Sequence, residues 1–217
     1  YEDALNAARR LVREERFRIG AQILRGTAGA GIAGAAFSAM AESSVDAMAM
    51  AAQAETERRF GSMPGRYVIL GMGKLGGREL ASDSDLDIMV VYEGEAEAQS
   101  WFGRFAQRLI SALSAPTEEG DLFEVDMQLR PSGKAGPVAV NAARFEAYYP
   151  GEAWTWEMMA LTRARVLAGD TGLAERVRAA VQSALTEPRD SRGVREDALA
   201  MRKRLEAGKP ARGAWDL

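Results

Sequence analysis

Hydrophobic and polar positions along the chain follow two different periods, and the change of period predicts the order of the elements. Towards both ends of the chain, apolar residues recur at the three- and four-residue spacing of a helix. The predicted helices cover residues 2–25, 35–60, 77–81, 97–115, 152–168, 173–185 and 194–206. In the centre, short apolar runs bounded by turn residues predict strands. These strands cover residues 67–72, 85–92, 122–129 and 138–140. The pattern therefore predicts an α+β fold.

Two aspartates lie at the start of the predicted strand 85–92, where polar and apolar residues alternate. Asp85 and Asp87 alternate with Leu86 and Ile88, and the two-residue period of a strand places both carboxylates on one face. Carboxylates held a few ångströms apart repel each other unless a cation lies between them. Because Mg²⁺ binds through one or two carboxylates together with substrate phosphates, this pair predicts a magnesium site.

A third carboxylate follows in the predicted strand 122–129, which alternates between an apolar and a polar face. Asp126 lies on the polar face, and a glycine-rich turn at residues 71–77 precedes the first two aspartates. A glycine turn, a D-x-D strand and a downstream aspartate together resemble the two-metal nucleotidyltransferases of the DNA polymerase β type. Two metal ions about 3.5–4 Å apart would there stabilise the attacking and the leaving oxygen of a displacement on phosphorus.

Residues around the glycine turn supply further candidate contacts to a nucleotide. The backbone N–H groups of Gly76 and Gly77, at the start of a predicted helix, are expected to bind a triphosphate, although both glycines also fit a plain tight turn. Ser84 adds a hydroxyl beside the aspartates. Lys74 is expected either to pair with a phosphate or to remain a solvated loop lysine, and the sequence leaves both open.

Two other ligand-binding motifs are present in part, and the residues around them exclude both. Residues 83–87 resemble the start of an EF-hand calcium loop, but Ile88 and Gly94 occupy the positions that need glycine and glutamate. Residues 29–34 match the dinucleotide-binding pattern G-x-G-x-x-G, but an arginine-rich helix precedes them where that motif needs a strand. We therefore expect residues 26–34 to form a helix–helix connection.

Composition limits which catalytic groups, binding partners and cellular location are possible for the protein. The 217 residues include no cysteine and no histidine, which excludes disulfides, thiol chemistry and imidazole catalysis. A net charge of −3 provides no basic field for nucleic acid, and the chain lacks an apolar run as long as a membrane span. We therefore expect a cytoplasmic protein that binds neither nucleic acid nor membrane and whose catalysis uses carboxylates, Lys, Arg, Ser, Thr, Tyr or metal.

Four longer phrases, in chain order, carry a resemblance to one family. They are GMGKLGGRELASDSDLDI, LFEVDMQLRPSGKAGPV, WTWEMMALTRAR and GKPARGAWDL. Together they resemble glutamine synthetase adenylyltransferase, a family whose members contain two related nucleotidyltransferase halves, one adding and one removing an adenylyl group. The phrase at 154–165 and the closing RGAWDL resemble the C-terminal, adenylylating half. We expect its tryptophans, Trp154 and Trp156, to pack rather than to stack on a base. Because the chain begins at Tyr1 and the family continues beyond Leu217, we expect an excised fragment.

The resemblance implies a fold and a domain organisation. The implied fold is α+β, with a polymerase β-like nucleotidyltransferase core on a small mixed sheet, between N-terminal helices and the start of a C-terminal helical domain. We place the N-terminal helical region at residues 1–62, the catalytic core at 63–168, and the beginning of a truncated C-terminal helical region at 169–217.

The resemblance also implies a reaction and the roles of individual residues. AMP would pass from ATP to a tyrosine hydroxyl of glutamine synthetase, with two Mg²⁺ ions expected. Asp85 and Asp87 would hold the ion that orients the triphosphate, and Asp126 would join them around the ion beside the attacking oxygen. Asp126 is also a candidate general base, and Arg130, from the family's R-L-R-P pattern, is expected at the nucleotide. For the full-length protein, the resemblance implies a PII-type signalling protein and glutamine as regulators.

Several alternatives remain open. The chain is either the adenylylating half, the adenylyl-removing half with phosphate as the attacking group, or a non-catalytic regulatory module on the same fold. Gln128 stands where the family's pattern has its first arginine, which leaves the role of that position open. Arg163 and Arg165 are expected either to bind phosphate or to pair with Glu157.

Overall fold

The computed structural model describes residues 1–208 as helices arranged around a small sheet. The helices are α1 (Glu2–Leu24), α2 (Ala30–Phe60), α3 (Gly73–Gly76), α4 (Ala98–Ser114), α5 (Ala142–Gly151), α6 (Thr155–Leu161), α7 (Thr171–Thr186) and α8 (Ser191–Gly208), with a 3₁₀ turn at Gly133–Ala135. The strands are β1 (Gly65–Gly71), β2 (Leu86–Gly94), β3 (Val125–Asp126), β4 (Ala139–Asn141) and β5 (Arg165–Gly169). The predicted α+β class is confirmed over this range. None of the helices within it has the length and apolar character needed to cross a membrane.

The sheet is mixed because β2 uses its two edges differently. On one edge, β2 pairs with β1 in antiparallel register, and β1 pairs in turn with β5, also antiparallel. On the other edge, β2 pairs in parallel with β3 and then with β4. The register with β3 places Asp87 directly beside Asp126. The small mixed sheet implied by the resemblance is therefore confirmed.

Helices cover both faces of the sheet, so its central strands are buried on both sides. On one face, Ile88 and Val90 of β2 join α1, α2 and the aromatic rings of α4 in one core. On the other face, Met89 and Val91 pack with side chains of α5, α6 and α7. Burial on both faces explains why residues 88–92 form a continuous apolar run instead of an alternating one.

Two predicted elements near the site differ from the structure. The predicted strand 122–129 is reduced to the two residues of β3. The N–H of Phe123 donates to the carbonyl of Leu113 in α4, and the chain turns back at Gln128, so neither end extends the sheet. The predicted helix 77–81 is wrong, because the helical turn lies earlier, at α3, directly after β1.

The region after residue 140 contains more elements than periodicity predicts. α6 ends at Leu161, so the predicted helix 152–168 is wrong in its second half, where β5 pairs with β1 as an edge strand. The sequence did not predict α5, which holds Pro150 in its last turn. At the other end of the chain, α2 begins at Ala30, so the predicted connection 26–34 is shorter than expected. Strand formation depends on a partner, which the period of one segment does not reveal.

The predicted division into three regions, with boundaries after residues 62 and 168, stays a prediction. Leu173 and Val177 of α7 belong to the same hydrophobic cluster as Leu70 of β1. The first helix after residue 168 therefore shares its packing with the sheet. The closing phrase RGAWDL, which contributed to the resemblance, lies outside the described residues.

Candidate metal and nucleotide site

Three carboxylates meet where β2 and β3 run side by side. Asp85 precedes β2, Asp87 lies within it, and the parallel register sets Asp87 beside Asp126. One carboxylate oxygen from each of the three lies within 4.8 Å of the other two. Asp85 is exposed, whereas Asp87 and Asp126 are half-buried. The parallel pairing of β2 with β3 therefore brings together the three aspartates that the sequence singled out.

The carboxylates repel one another in the absence of a cation. Burial, followed by the negative charges of Asp85 and Asp126, raises the pKa of Asp87 to about 6, against the opposing effect of Lys74. None of the ion pairs found within residues 1–208 includes a member of this cluster. Three convergent oxygen donors with excess negative charge fit a hard divalent cation such as Mg²⁺.

The glycine turn approaches the carboxylates through Gly73, the first residue of α3. Its φ of 50° lies in the left-handed region, which favours glycine. A Cβ atom added there would lie 2.1 Å from Oδ2 of Asp87. The backbone N–H of Met72 also donates to the carbonyl of Asp87 at 2.8 Å. Gly73 thus allows the turn to close against the carboxylate, a role that no pattern in the sequence predicts.

Gly76 and Gly77, predicted to bind phosphate, use their N–H groups inside the turn. Gly76 donates to the carbonyl of Met72 at 2.8 Å, and Gly77 donates to that of Gly73 at 3.1 Å. A Cβ atom on Gly76 would lie 1.8 Å from the carbonyl oxygen of Arg163, so close backbone packing requires glycine there. The first turn of α3 is the part whose N–H groups have no acceptor within the helix.

The other predicted nucleotide contacts lie around the carboxylates at different depths. Lys74 is exposed and close enough to lower the pKa of Asp87. The hydroxyl of Ser84 accepts a hydrogen bond from the N–H of Ala81 at 3.0 Å and so shapes the turn before Asp85. Arg130 is buried, and it donates to backbone carbonyls of the loop that follows β3, at Met127 (2.6 Å), Gly136 (3.2 Å) and Lys134 (3.5 Å).

Comparison with known proteins places this geometry in a family. A family model described as glutamate-ammonia ligase adenylyltransferase matches residues 1–180. The chain belongs to this adenylyltransferase family. Similar relatives occur in Mesorhizobium japonicum, Caulobacter vibrioides and Agrobacterium fabrum, and each is named bifunctional glutamine synthetase adenylyltransferase/adenylyl-removing enzyme. Their identities are 44%, 45% and 44%, over the whole of this chain. The chain spans 23% of the length of each.

In this member of the adenylyltransferase family, Arg165 of β5 holds the glycine turn by hydrogen bonds to its backbone carbonyls. Its Nε and one terminal nitrogen donate to the carbonyls of Gly76 and Leu75, both at 3.2 Å. Its other terminal nitrogen pairs with Glu42 of α2 at 2.7 Å. These bonds satisfy carbonyls at the end of α3, which have no partner within the helix. Arg165 therefore holds the helical turn that lies against Asp87.

The predicted pairing of Arg163 or Arg165 with Glu157 is wrong. Arg163 pairs with Glu79 at 3.0 Å on the surface. Glu157 is buried and accepts from the hydroxyl of Tyr148 at 2.8 Å, and from the backbone N–H at the start of α6 at 2.9 Å. Glu157 is therefore a structural acceptor, and Arg163 remains a solvated residue near the turn.

The two tryptophans of the family phrase do not pack in the core. Trp154 is 71% exposed and Trp156 is 40% exposed, so the expectation that they pack is wrong. Met158 and Leu161 provide the buried face of α6 instead. The sequence offered no sign of this arrangement, because α6 is too short for its apolar residues to define one face.

Proposed function

We propose that this chain is a metal-dependent nucleotidyltransferase that moves AMP from ATP to a tyrosine hydroxyl of glutamine synthetase, and so regulates nitrogen assimilation. The observation that carries the proposal is the convergence of Asp85, Asp87 and Asp126 in a member of the adenylyltransferase family. The names of the relatives supply the reaction and its acceptor. The mixed sheet with paired carboxylates on adjacent strands supports a polymerase β-like core.

Further residues of the site are proposed to bind the nucleotide. Lys74 projects from the glycine turn beside the aspartates, in a position to offset phosphate charge. Gly76 and Gly77 belong to the glycine turn, Ser84 belongs to the turn just before Asp85, and a triphosphate bound there would meet the first turn of α3. Arg130 sets the shape of the loop after β3 and is proposed to support the nucleotide from that side.

The three carboxylates share the metal ions in the proposed reaction, and Asp126 has a second role. Asp85 and Asp87 would hold one Mg²⁺ ion and all three aspartates a second, and these ions would stabilise charge on the attacking and leaving oxygens. Asp126 accepts the proton of the tyrosine hydroxyl, whose free pKa is about 10. The tyrosine oxygen bonds to the α-phosphorus, the bond to the bridging oxygen breaks, and pyrophosphate leaves. The site contributes mainly by positioning these groups.

The phrase at 154–165 favours the adenylylating half over the adenylyl-removing half. A regulatory module without activity is less well supported, because the three carboxylates converge within reach of one cation. For the longer protein we propose a PII-type signalling protein and glutamine as regulators. We also propose a cytoplasmic location. The net charge of −3 favours a protein acceptor over nucleic acid.

Transfer of label from α-labelled ATP to unmodified glutamine synthetase tests the proposal. We expect label on tyrosine in the presence of Mg²⁺, and a loss of about a thousandfold in Asp85→Ala, because a bound metal contributes several kcal/mol to the transition state. Asp83→Ala is the matched control, since Asp83 is also exposed but lies outside the cluster. Equal loss in both variants would contradict the assigned role of Asp85.

The same preparation distinguishes the two halves of the family. If wild-type protein transfers no label, release of AMP from adenylylated glutamine synthetase on addition of phosphate would assign the chain to the removing half. If neither reaction occurs although MgATP binds, the proposal that this stretch of chain catalyses the transfer by itself is contradicted.

A further inference from the structure

Asp126 differs from the other two carboxylates of the cluster because one neighbour donates to both of its oxygens. The backbone N–H of Gln128 donates to Oδ1 at 2.6 Å. The side-chain Nε2 of Gln128 donates to Oδ2 at 3.0 Å. A single residue, two positions along the chain, therefore holds the carboxylate at both ends.

This arrangement lies where the sheet stops supporting the chain. β3 consists of two residues, and Asp126 is the second of them. Beyond it, the chain turns away from β2, so ladder hydrogen bonds no longer fix the backbone. A carboxylate side chain can occupy several staggered rotamers unless hydrogen bonds favour one of them. The two bonds from Gln128 remove that freedom.

We propose that Gln128 is a positioning residue that orients the Asp126 carboxylate and so raises the affinity of the cluster for a divalent cation. This inference rests on the proposed role of Asp126 as a metal ligand. Carboxylates that bind metals are themselves commonly hydrogen-bonded, and loss of such a partner weakens metal binding by about 10–100-fold. The neutral amide also donates without adding positive charge, so it does not compete electrostatically with the cation.

Direct binding of Mn²⁺, measured by electron paramagnetic resonance without ATP or acceptor, tests the proposal. We expect Gln128→Leu, which keeps the approximate size of the side chain and the backbone N–H but removes the side-chain donor to Oδ2, to raise the Kd for Mn²⁺ about tenfold. Gln107→Leu is the matched control, because Gln107 is also exposed but lies on α4, outside the site. Gln128→Asn, whose amide is one methylene shorter, should weaken binding in the same direction and replaces the leucine variant if circular dichroism shows that variant unfolded.

An unchanged Kd in Gln128→Leu, relative to Gln107→Leu, would overturn the inference. A tighter Kd would also overturn it, because the amide would then be a competitor of the cation for Oδ2. In a label-transfer assay, a positioning role predicts a higher Mg²⁺ requirement with little change in kcat at saturating Mg²⁺.

Two outcomes separate this inference from the proposed function. If wild-type protein binds no Mn²⁺, both the proposed metal site and the proposed role of Gln128 are contradicted. If Mn²⁺ binds, weakens in Asp126→Asn and weakens in Gln128→Leu, the inference stands even where no AMP transfer is detected.

Discussion

The carboxylates of Glu55, near the end of α2, and Asp87, at the start of β2, have their acidity shifted in opposite directions by their environments. Hydrogen bonds from Arg58 and then Arg59 lower the pKa of Glu55 to about 2. Burial and neighbouring carboxylates raise the pKa of Asp87 to about 6. The chain supplies Glu55 with its cations one helical turn away, at 2.8 Å for Arg58.

The difference distinguishes a carboxylate with a structural role from one that is a candidate metal ligand. The charge of Glu55 is already balanced by ion pairs with Arg58 and Arg59, so Glu55 is a poor ligand for a cation. Asp87 lies beside two further carboxylates, and within residues 1–208 only Lys74 is a cation that lowers its pKa. Such a cluster is unfavourable by itself and is stabilised by a cation from outside. The following predictions test whether that contrast governs binding and stability.

The largest effect is expected from Gly73→Ala, which disturbs Asp87 without changing any charge. The new Cβ would lie 2.1 Å from Oδ2 of Asp87, at a φ of 50°. We expect Mn²⁺ affinity to fall about 100-fold, because a displacement near 1 Å is enough to disrupt a positioned site. We also expect a loss of about 1–3 kcal/mol in the free energy of unfolding from backbone strain. Mn²⁺ titration and urea unfolding measure the two effects.

Gly103→Ala is the matched control for this substitution. Gly103 lies within α4, and an added Cβ would meet nothing within 4 Å. Alanine favours a helix over glycine, so the free energy of unfolding should rise by about 0.5–1 kcal/mol while Mn²⁺ affinity stays unchanged. Unaltered Mn²⁺ binding in Gly73→Ala would show that the cluster does not depend on the close approach of the turn.

A smaller effect is expected from Arg165→Lys, which loosens the turn from the opposite side. Lysine keeps the charge but cannot reproduce the three-way contact with Gly76, Leu75 and Glu42. We expect a loss of about 2 kcal/mol in the free energy of unfolding, since partly buried charged hydrogen bonds disappear. Hydrogen exchange should also become faster in residues 73–77.

Arg163→Lys provides the comparison two positions away. Its partner is Glu79 on the surface, and both side chains are about half exposed. Such a pair contributes little, so we expect a change below about 0.5 kcal/mol and no effect on exchange in the turn. Equal destabilisation by the two variants would show that Arg165 has no special role in holding α3.

The sequence predicts the carboxylate cluster better than it predicts the contacts that hold the cluster in place. Those contacts join residues that lie far apart in the chain. Asp85, Asp87 and Asp126 were found because strand alternation acts over two residues and the glycine turn marks the first strand end. The bond from Arg165 to Gly76 spans 89 residues, so no local pattern encodes it. β5 was missed for the same reason, since its strand conformation depends on β1, far away in sequence.

The smallest effect is the pH dependence of the metal-free protein, in which the two carboxylates should act with opposite signs. The folded pKa of Asp87, about 6, is above its unfolded value of about 4, so its ionisation makes stability fall as pH rises through that window. Asp87→Asn removes this penalty, and we expect it to raise the free energy of unfolding at pH 7 by about 1–2 kcal/mol. The folded pKa of Glu55, about 2, is below its unfolded value, so Glu55 stabilises the protein above about pH 4.5 and this contribution is lost as pH falls. Glu55→Gln should therefore destabilise the protein at pH 7 and leave Mn²⁺ binding intact.

Urea unfolding in EDTA between pH 4 and 8 measures the stability of both variants. If Asp87→Asn proves no more stable than wild type at pH 7, the three carboxylates do not repel one another as inferred.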